Sequence, residues 1–389
     1  MRLPVLLTGL AAAALGACAH LPHNEEACAI RSASTGFPGG SANAELSFAC
    51  DTIEMRVLPE TEPINPSPWY AVQIDSETGG PAELRLDYGG FAHRYHPWMR
   101  TPGGEWLRLA DEAVEQSEHA AVIALDLVPG RSILAGQPIV STQTHRRWQE
   151  DWRSRYGGFE ETVYGRSAEG RDLRAFHLID APDGEPRPVL IILGRQHPPE
   201  VTGAFALDGF VDAVIDALNT QTGQPFDLLI LPVLNPDGVE QGFWRTNSDG
   251  RDLNRDWASR SQPEVGLAFD YLIASGLLER DQVIMVDFHS TFADRVYRDG
   301  YAPGDWREQA LTRWMRALSL RLGEDAPEVR VTRSASGQTA KGVFGGMGAL
   351  AITWEAGDDT RPEAAYRAGG LAFEALLETW AGSDQGSPD

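Results

Sequence analysis

Lysine is almost missing from this chain: Lys341 is the only one in 389 residues, and the remaining strong cations are all arginines. Positive charge as a whole is scarce, with 33 Lys and Arg against 56 Asp and Glu and a net charge of −23. That balance excludes broad nucleic-acid binding, because a phosphate backbone requires a basic face. The acidity reads as a device for solubility. Long apolar runs are also missing beyond the N-terminus, so nothing there reads as a transmembrane helix. Cysteine is scarce too, at three residues. What remains is ordinary globular material: 42% hydrophobic and 9% aromatic residues, enough for two domains with sizeable cores.

Residues 1–17, "MRLPVLLTGLAAAALGA", hold one arginine, an apolar run and then small residues, the pattern of an export signal. The "LGAC" ending is similar to a bacterial lipobox, which makes Cys18 the expected lipidated first residue and the only expected membrane attachment. The chain is then expected in the cell envelope, facing the periplasm. In that oxidising setting the isolated pair Cys28 and Cys50 is expected as a disulfide rather than a metal site.

After a linker over 18–27, residues 28–140 show short apolar runs such as "TIEMRVLP", "WYAVQI" and "AAVIALDLV", divided by turns such as "FPGG" and "ETGG". This spacing predicts a small antiparallel β-sandwich. Residues 141–382 change character, opening with an arginine- and tryptophan-rich helix at 142–157 and alternating apolar strands with helices. The alternation predicts an α/β domain with a mixed, mostly parallel twisted sheet and helices on both faces, followed by a tail over 383–389.

Ligands of open α/β sheets bind beyond the carboxyl ends of the strands, so the residues that end each strand carry information. "VLIILGRQH" ends near His197, with Glu200 three residues on; "QVIMVDFH" ends on His289, "ALAITWE" on Glu355 and "DLLILPVLN" on Asn235. His197, Glu200 and His289 are candidates for three zinc ligands, a combination known from catalytic zinc sites that keep a fourth position for water. The prolines after His197 fit this reading. Pro198 keeps His197 extended, and a helix is expected to start at about Glu200, where its dipole favours negative charge. The polar block Leu234–Trp257 holds Arg245, Asn254 and Arg255, with arginines suited to bidentate carboxylate recognition.

"HPPE", "NPDG", "WRTN", "DLNRDW", "DFHS" and "TWEAG" follow one another in the order seen in zinc metallocarboxypeptidases, and residues 140–380 resemble that family. The N-terminal "FPGG" and "NPSPWYAVQI" look like the β-sandwich of its cytosolic carboxypeptidase-like subgroup. The resemblance implies one zinc ion per chain held by His197, Glu200 and His289. It makes Glu355 the general base toward the attacking water and Arg245 the stabiliser of the oxyanion. Asn254 and Arg255 would grip the C-terminal carboxylate of a peptide. Many members carry a tyrosine in the loop before the base, whereas none occurs here between Tyr301 and Tyr366. In the "TAK" segment of that loop, Lys341 is expected to help bind an acidic substrate. A muropeptide amidase or carboxypeptidase of the envelope is the alternative of the same chemistry. A zinc deacylase of the aspartoacylase type is less favoured by the motif block. A non-catalytic binding protein on the same fold is the alternative of another class.

Overall fold

The computed structural model describes residues 28–179, 187–220, 225–332 and 337–381. The expected export signal and Cys18 lie outside them. Cys28 and Cys50 are joined in a disulfide that ties the first described residue to the turn before β3 (Thr52–Arg56).

The N-terminal region is built from two five-stranded sheets. One runs β1 (Ser32–Ser34), β4 (Ala71–Ser76), β10 (Gly130–Ala135), β6 (Trp98–Arg100), β7 (Trp106–Arg108). The other runs β2 (Glu45–Phe48), β3, β5 (Gly80–Asp87), β9 (Ala120–Leu127), β8 (Val114–Gln116). Alternation decides which side chains go inside: Ile53, Met55, Leu84, Leu86, Ile123 and Leu125 point into one shared core, while their neighbours face out. The expected antiparallel pattern needs one correction, since β3 pairs with β5 in parallel. The connection between these two strands passes through β4 in the opposite sheet, so β3 and β5 are not a hairpin and need not reverse direction.

The second region carries one eight-stranded mixed sheet in the order β11 (Glu160–Arg166), β12 (Asp172–Leu178), β14 (Asp227–Leu231), β13 (Val189–Gly194), β15 (Val283–Thr291), β18 (Leu350–Gly357), β16 (Arg295–Arg298), β17 (Glu328–Val331). Its four central strands are parallel, and every described residue of β13 and β14 is buried. Helices α1 (Thr142–Arg155), α2 (Val201–Thr220), α5 (Trp306–Leu322) and α7 (Pro362–Ala381) border the apolar core on one face. On the other face lie α4 (Pro263–Ala274) and α6 (Ala340–Gly346), with the short α3 (Pro236–Gln241) in the polar block. The expected α/β architecture with a β-sandwich in front of it is therefore what the chain adopts.

Two contacts position the site. Helices α2 and α7 approach so closely that a Cβ at Gly209 would collide with the carbonyl of Tyr366, and one at Gly369 with that of Ala206. The sandwich core also takes in Val201, Ala204 and Trp244 from the second region, so the two regions share apolar packing.

Candidate active site

The parallel strands β13, β15 and β18 end at the same edge, and the site is built there. In the ladder between β15 and β18, His289 stands directly opposite Glu355. After Gly194 the chain turns through Arg195, whose φ of 50° lies in the left-handed region. Its buried guanidinium donates to the carbonyls of Val140 (3.0 Å) and Pro198 (2.7 Å). Those two bonds offset the backbone strain and fix the bend that carries His197 and Glu200. Helix α2 begins at Val201, one residue later than expected, so Glu200 sits just outside the first turn. At Gly203 the helix closes on β15: a Cβ there would collide with the His289 carbonyl, and its N–H donates to Ser290 Oγ at 2.8 Å.

His197, Glu200 and His289 converge in the interior, with one ligand atom from each lying within 4.8 Å of the others. His197 Nδ1 is 2.8 Å from Glu200 Oε1, His289 Nδ1 is 2.6 Å from Glu200 Oε2, and the two Nδ1 atoms are 3.1 Å apart. The far nitrogens are held by carboxylates: His197 Nε2 by Asp252 at 2.9 Å and His289 Nε2 by Asp287 at 2.8 Å. A carboxylate has no proton to give, so these bonds place the ring proton on Nε2 and leave a lone pair on each Nδ1. Two lone pairs and a carboxylate then face one another out of water, which is stable only around a proton or a metal cation. The donor set, two imidazoles and one carboxylate with carboxylates behind them, fits a catalytic zinc.

The charges follow this geometry. Burial opposes ionisation of Glu200, yet His197 and His289 outweigh it and hold its carboxyl well below the usual range. Burial likewise works against a charge on His289, but Asp287 and then Glu200 raise it well above the ordinary histidine value. Asp252 is held far down against its burial by His197 and then Arg245. Glu355 behaves in the opposite way: burial and then the Glu200 charge push it up to about 8. Its Oε2 has no hydrogen-bond partner among the described residues.

His197, Glu200, His289 and Glu355 line a cavity of about 560 Å³ together with Arg245, Arg255 and Lys341. Arg245 is buried; its Nε donates to Asp252 at 2.7 Å, and its Nη1 lies 3.9 Å from Glu200. Arg255 is exposed and donates to the Asn254 carbonyl at 2.9 Å. Asn254 also lines the cavity, with one end of its amide already engaged. Its Oδ1 accepts the Ala340 N–H at 3.1 Å, and its Nδ2 lies 3.2 Å from His289 Nε2. Lys341 sits in the first turn of α6 rather than in an open loop, and it is only 4% exposed. Its ammonium is paired with Asp299 and donates to the Thr332 carbonyl at 3.3 Å. The lysine therefore meets the cavity as half of an ion pair.

Several lining or supporting residues escaped the sequence reading. Asp287 lies two residues before His289 on one strand, and the period of two could have marked it. Gln196 donates to that same aspartate at 2.7 Å and accepts the Trp257 indole N–H at 2.8 Å. Tyr297, on β16, lines the cavity from a strand that precedes the Tyr301–Tyr366 interval. From the sandwich come Asn65, Pro66 and Arg94. Arg94 donates to Asp358 at 2.9 Å and to Ser67 at 2.7 Å, and its guanidinium stands 4.6 Å from the ring centre of the exposed Phe292.

Comparison with known proteins agrees with this geometry. Residues 145–272 match the family model described as zinc carboxypeptidase. Human cytosolic carboxypeptidase 4 is 34% identical over 108 residues, which is 26% of this chain and 10% of that protein. Cytosolic carboxypeptidase-like protein 5 of Ailuropoda melanoleuca is 38% identical over 100 residues, 23% of this chain and 11% of that one. The matched segment thus spans about a tenth of the length of these curated relatives. Among solved structures, a metallo-carboxypeptidase from Burkholderia cenocepacia superposes with a TM-score of 0.75 at 19% identity, over 91% of this chain and 99% of that one. A metallo-carboxypeptidase from Pseudomonas aeruginosa, in complex with (2-guanidinoethylmercapto)succinic acid, gives 0.70 at 20% identity over the same shares, 91% and 99%. Residues 145–272 are thus similar to the zinc carboxypeptidase family, and the chain has the fold of the metallo-carboxypeptidases.

Proposed function

We propose that the protein is a zinc-dependent carboxypeptidase that hydrolyses the C-terminal peptide or amide bond of its substrate. The observation that carries this reading is the register of β15 and β18, which sets Glu355 directly opposite His289 beside the cluster of His197, Glu200 and His289. Zinc, when bound by those three side chains, supplies a Lewis acid for the scissile carbonyl and makes water nucleophilic at neutral pH. Glu355 takes the proton of the attacking water and returns it to the leaving amine. In the metal-free chain burial and then Glu200 hold this carboxyl above its ordinary value, and the positive charge of bound zinc would lower it toward the ionised form that accepts the proton. Arg245, locked against Asp252, donates to the oxygen on which negative charge develops. Arg255, exposed at the mouth, pairs with the terminal carboxylate. Asn254 supports it by holding the start of α6. The Lys341–Asp299 pair contributes a polar wall for an acidic substrate side chain.

Export to the cell envelope belongs to the same proposal, with the Cys28–Cys50 disulfide as its support. The deciding experiment is a screen of zinc-loaded protein against peptides that differ only in the C-terminal residue, with muropeptides as a second arm. Release of one amino acid per turnover, lost on chelation and restored by zinc, is expected. No hydrolysis in either arm overturns the reading, and cleavage of muropeptides alone assigns the substrate to peptidoglycan.

A further inference from the structure

We propose that Glu60, in the connection between β3 and β4 of the sandwich, is a positioning residue for Arg245. The N-terminal region would thereby set the oxyanion side of the active site. The proposal rests on the carboxypeptidase reading of the cavity.

Glu60 reaches across the boundary between the two regions. Its Oε1 accepts the N–H of Arg245 at 2.8 Å, the N–H of Thr246 at 2.6 Å and the Thr246 hydroxyl at 2.9 Å. Its Oε2 accepts the N–H of Trp244 at 2.8 Å. Among the described residues no basic side chain is paired with this carboxylate. Three consecutive main-chain amides and a hydroxyl satisfy it instead.

The segment receiving Glu60 needs such a partner. Residues 243–247 are neither helix nor strand, so the ladder of a regular element does not satisfy their N–H groups. The neighbouring attachments are specific as well. The Trp244 ring is buried in the sandwich core, edge-on to Phe91 at 5.1 Å, and the Thr246 carbonyl accepts from Asn235 at 2.9 Å. Arg245 itself faces the cavity between these anchors, and Asp252 fixes its Nε. A long arginine side chain directs its guanidinium to a defined point only if its Cα is fixed, because each free torsion widens the spread. Donors that stabilise a transition state act through being held in place before the charge appears. Glu60 supplies that fixation at the residue itself and at both of its neighbours.

The alternative is that Glu60 merely stabilises a loop, and a double-mutant cycle separates the two. Glu60→Ala, Arg245→Ala and the double variant are compared as zinc-loaded full-length protein on a peptide that the wild type cleaves. Glu60→Ala is expected to lower kcat by about 100-fold, with a far smaller change in KM. In the Arg245→Ala background the same change is expected to alter kcat by no more than about threefold. Equal losses in both backgrounds, or an unchanged kcat in Glu60→Ala, overturn the proposal.

Amide hydrogen exchange of the metal-free proteins gives a readout independent of activity. Exchange at 244–246 is expected to rise in Glu60→Ala while residues 284–289 stay protected, and unchanged protection at 244–246 overturns the proposal. If Glu60→Ala does not fold, Glu60→Gln serves in its place. It keeps an acceptor toward Arg245 and Thr246 but turns an NH₂ toward the Trp244 N–H, so an intermediate kcat is expected and wild-type kinetics overturn the proposal. Should the wild type cleave no peptide, the carboxypeptidase reading fails, and the exchange result alone decides whether Glu60 fixes the loop.

Discussion

The eight-stranded sheet places His289 and Glu355 at the cavity from adjacent strand ends, whereas the sandwich places Glu60 and Arg94 beside it from connections between strands. The first arrangement is set by ladder register, which moves only if a whole strand slips. The second is set by a few hydrogen bonds across a boundary between two cores. The sheet edge therefore determines which chemistry is possible, and the sandwich determines how closely the cavity walls are held.

The largest loss is expected at the sheet edge. Glu355→Gln is expected to lower kcat/KM by about 1,000-fold or more while zinc content stays unchanged, read by steady-state kinetics and metal analysis. Turnover near the wild-type level would place the base elsewhere. A second, smaller effect is expected behind the ligands. Asp287→Ala and Asp252→Ala should each weaken zinc affinity by about 10- to 100-fold in competition with a chromophoric chelator. Asp252→Ala should in addition lower kcat, because Arg245 loses its anchor.

The sandwich side is tested by stability. Arg94 and Asp358 are 10% and 6% exposed, so Arg94→Met leaves a buried carboxylate without its cation and is expected to cost about 3 kcal/mol in denaturant unfolding. Arg131, 62% exposed and paired with Asp75, should cost less than about 1 kcal/mol when changed in the same way. Equal costs would mean that the contact across the boundary carries no special weight.

The mildest test uses pH. Glu355 is raised from 4.5 to about 8, so between those values the folded metal-free chain holds a proton that the unfolded chain releases. Its contribution to stability is full at low pH and is lost as pH rises through about 8. Melting curves of the metal-free wild type should therefore fall relative to those of Glu355→Gln across that window. Parallel curves would show that the carboxyl is not raised.

The sequence readily exposes what periodicity and strand ends encode. The apolar runs "VLIILG" and "QVIMVDFH" mark central strands because both faces are buried, and the polar residues that end them stand out for that reason. Asp287 was equally visible by alternation but lay inside a run read as apolar. Helix α6 was hidden by Gly342, Gly345 and Gly346, which lower helix propensity in a segment that tertiary packing nevertheless holds helical. Glu60 and Arg94 carried no signal at all. Their partners lie at Trp244–Thr246 and Asp358, far along the chain, and no local pattern encodes the approach of segments so distant in sequence.

The seam between α2 and α7 has a consequence for divergence. Glu200 immediately precedes α2, and Glu355 lies on the strand that leads into α7. Because peptide groups touch at Gly209 and Gly369, the gap between the helices is set by main-chain atoms and not by the volume of the surrounding side chains. The seam acts as a mechanical stop. Exchanges among the leucines, valines and phenylalanines around it would then shift the two helices less than a side chain added at either glycine. A relative could then share little of this core's composition and still be cut to the same internal dimension.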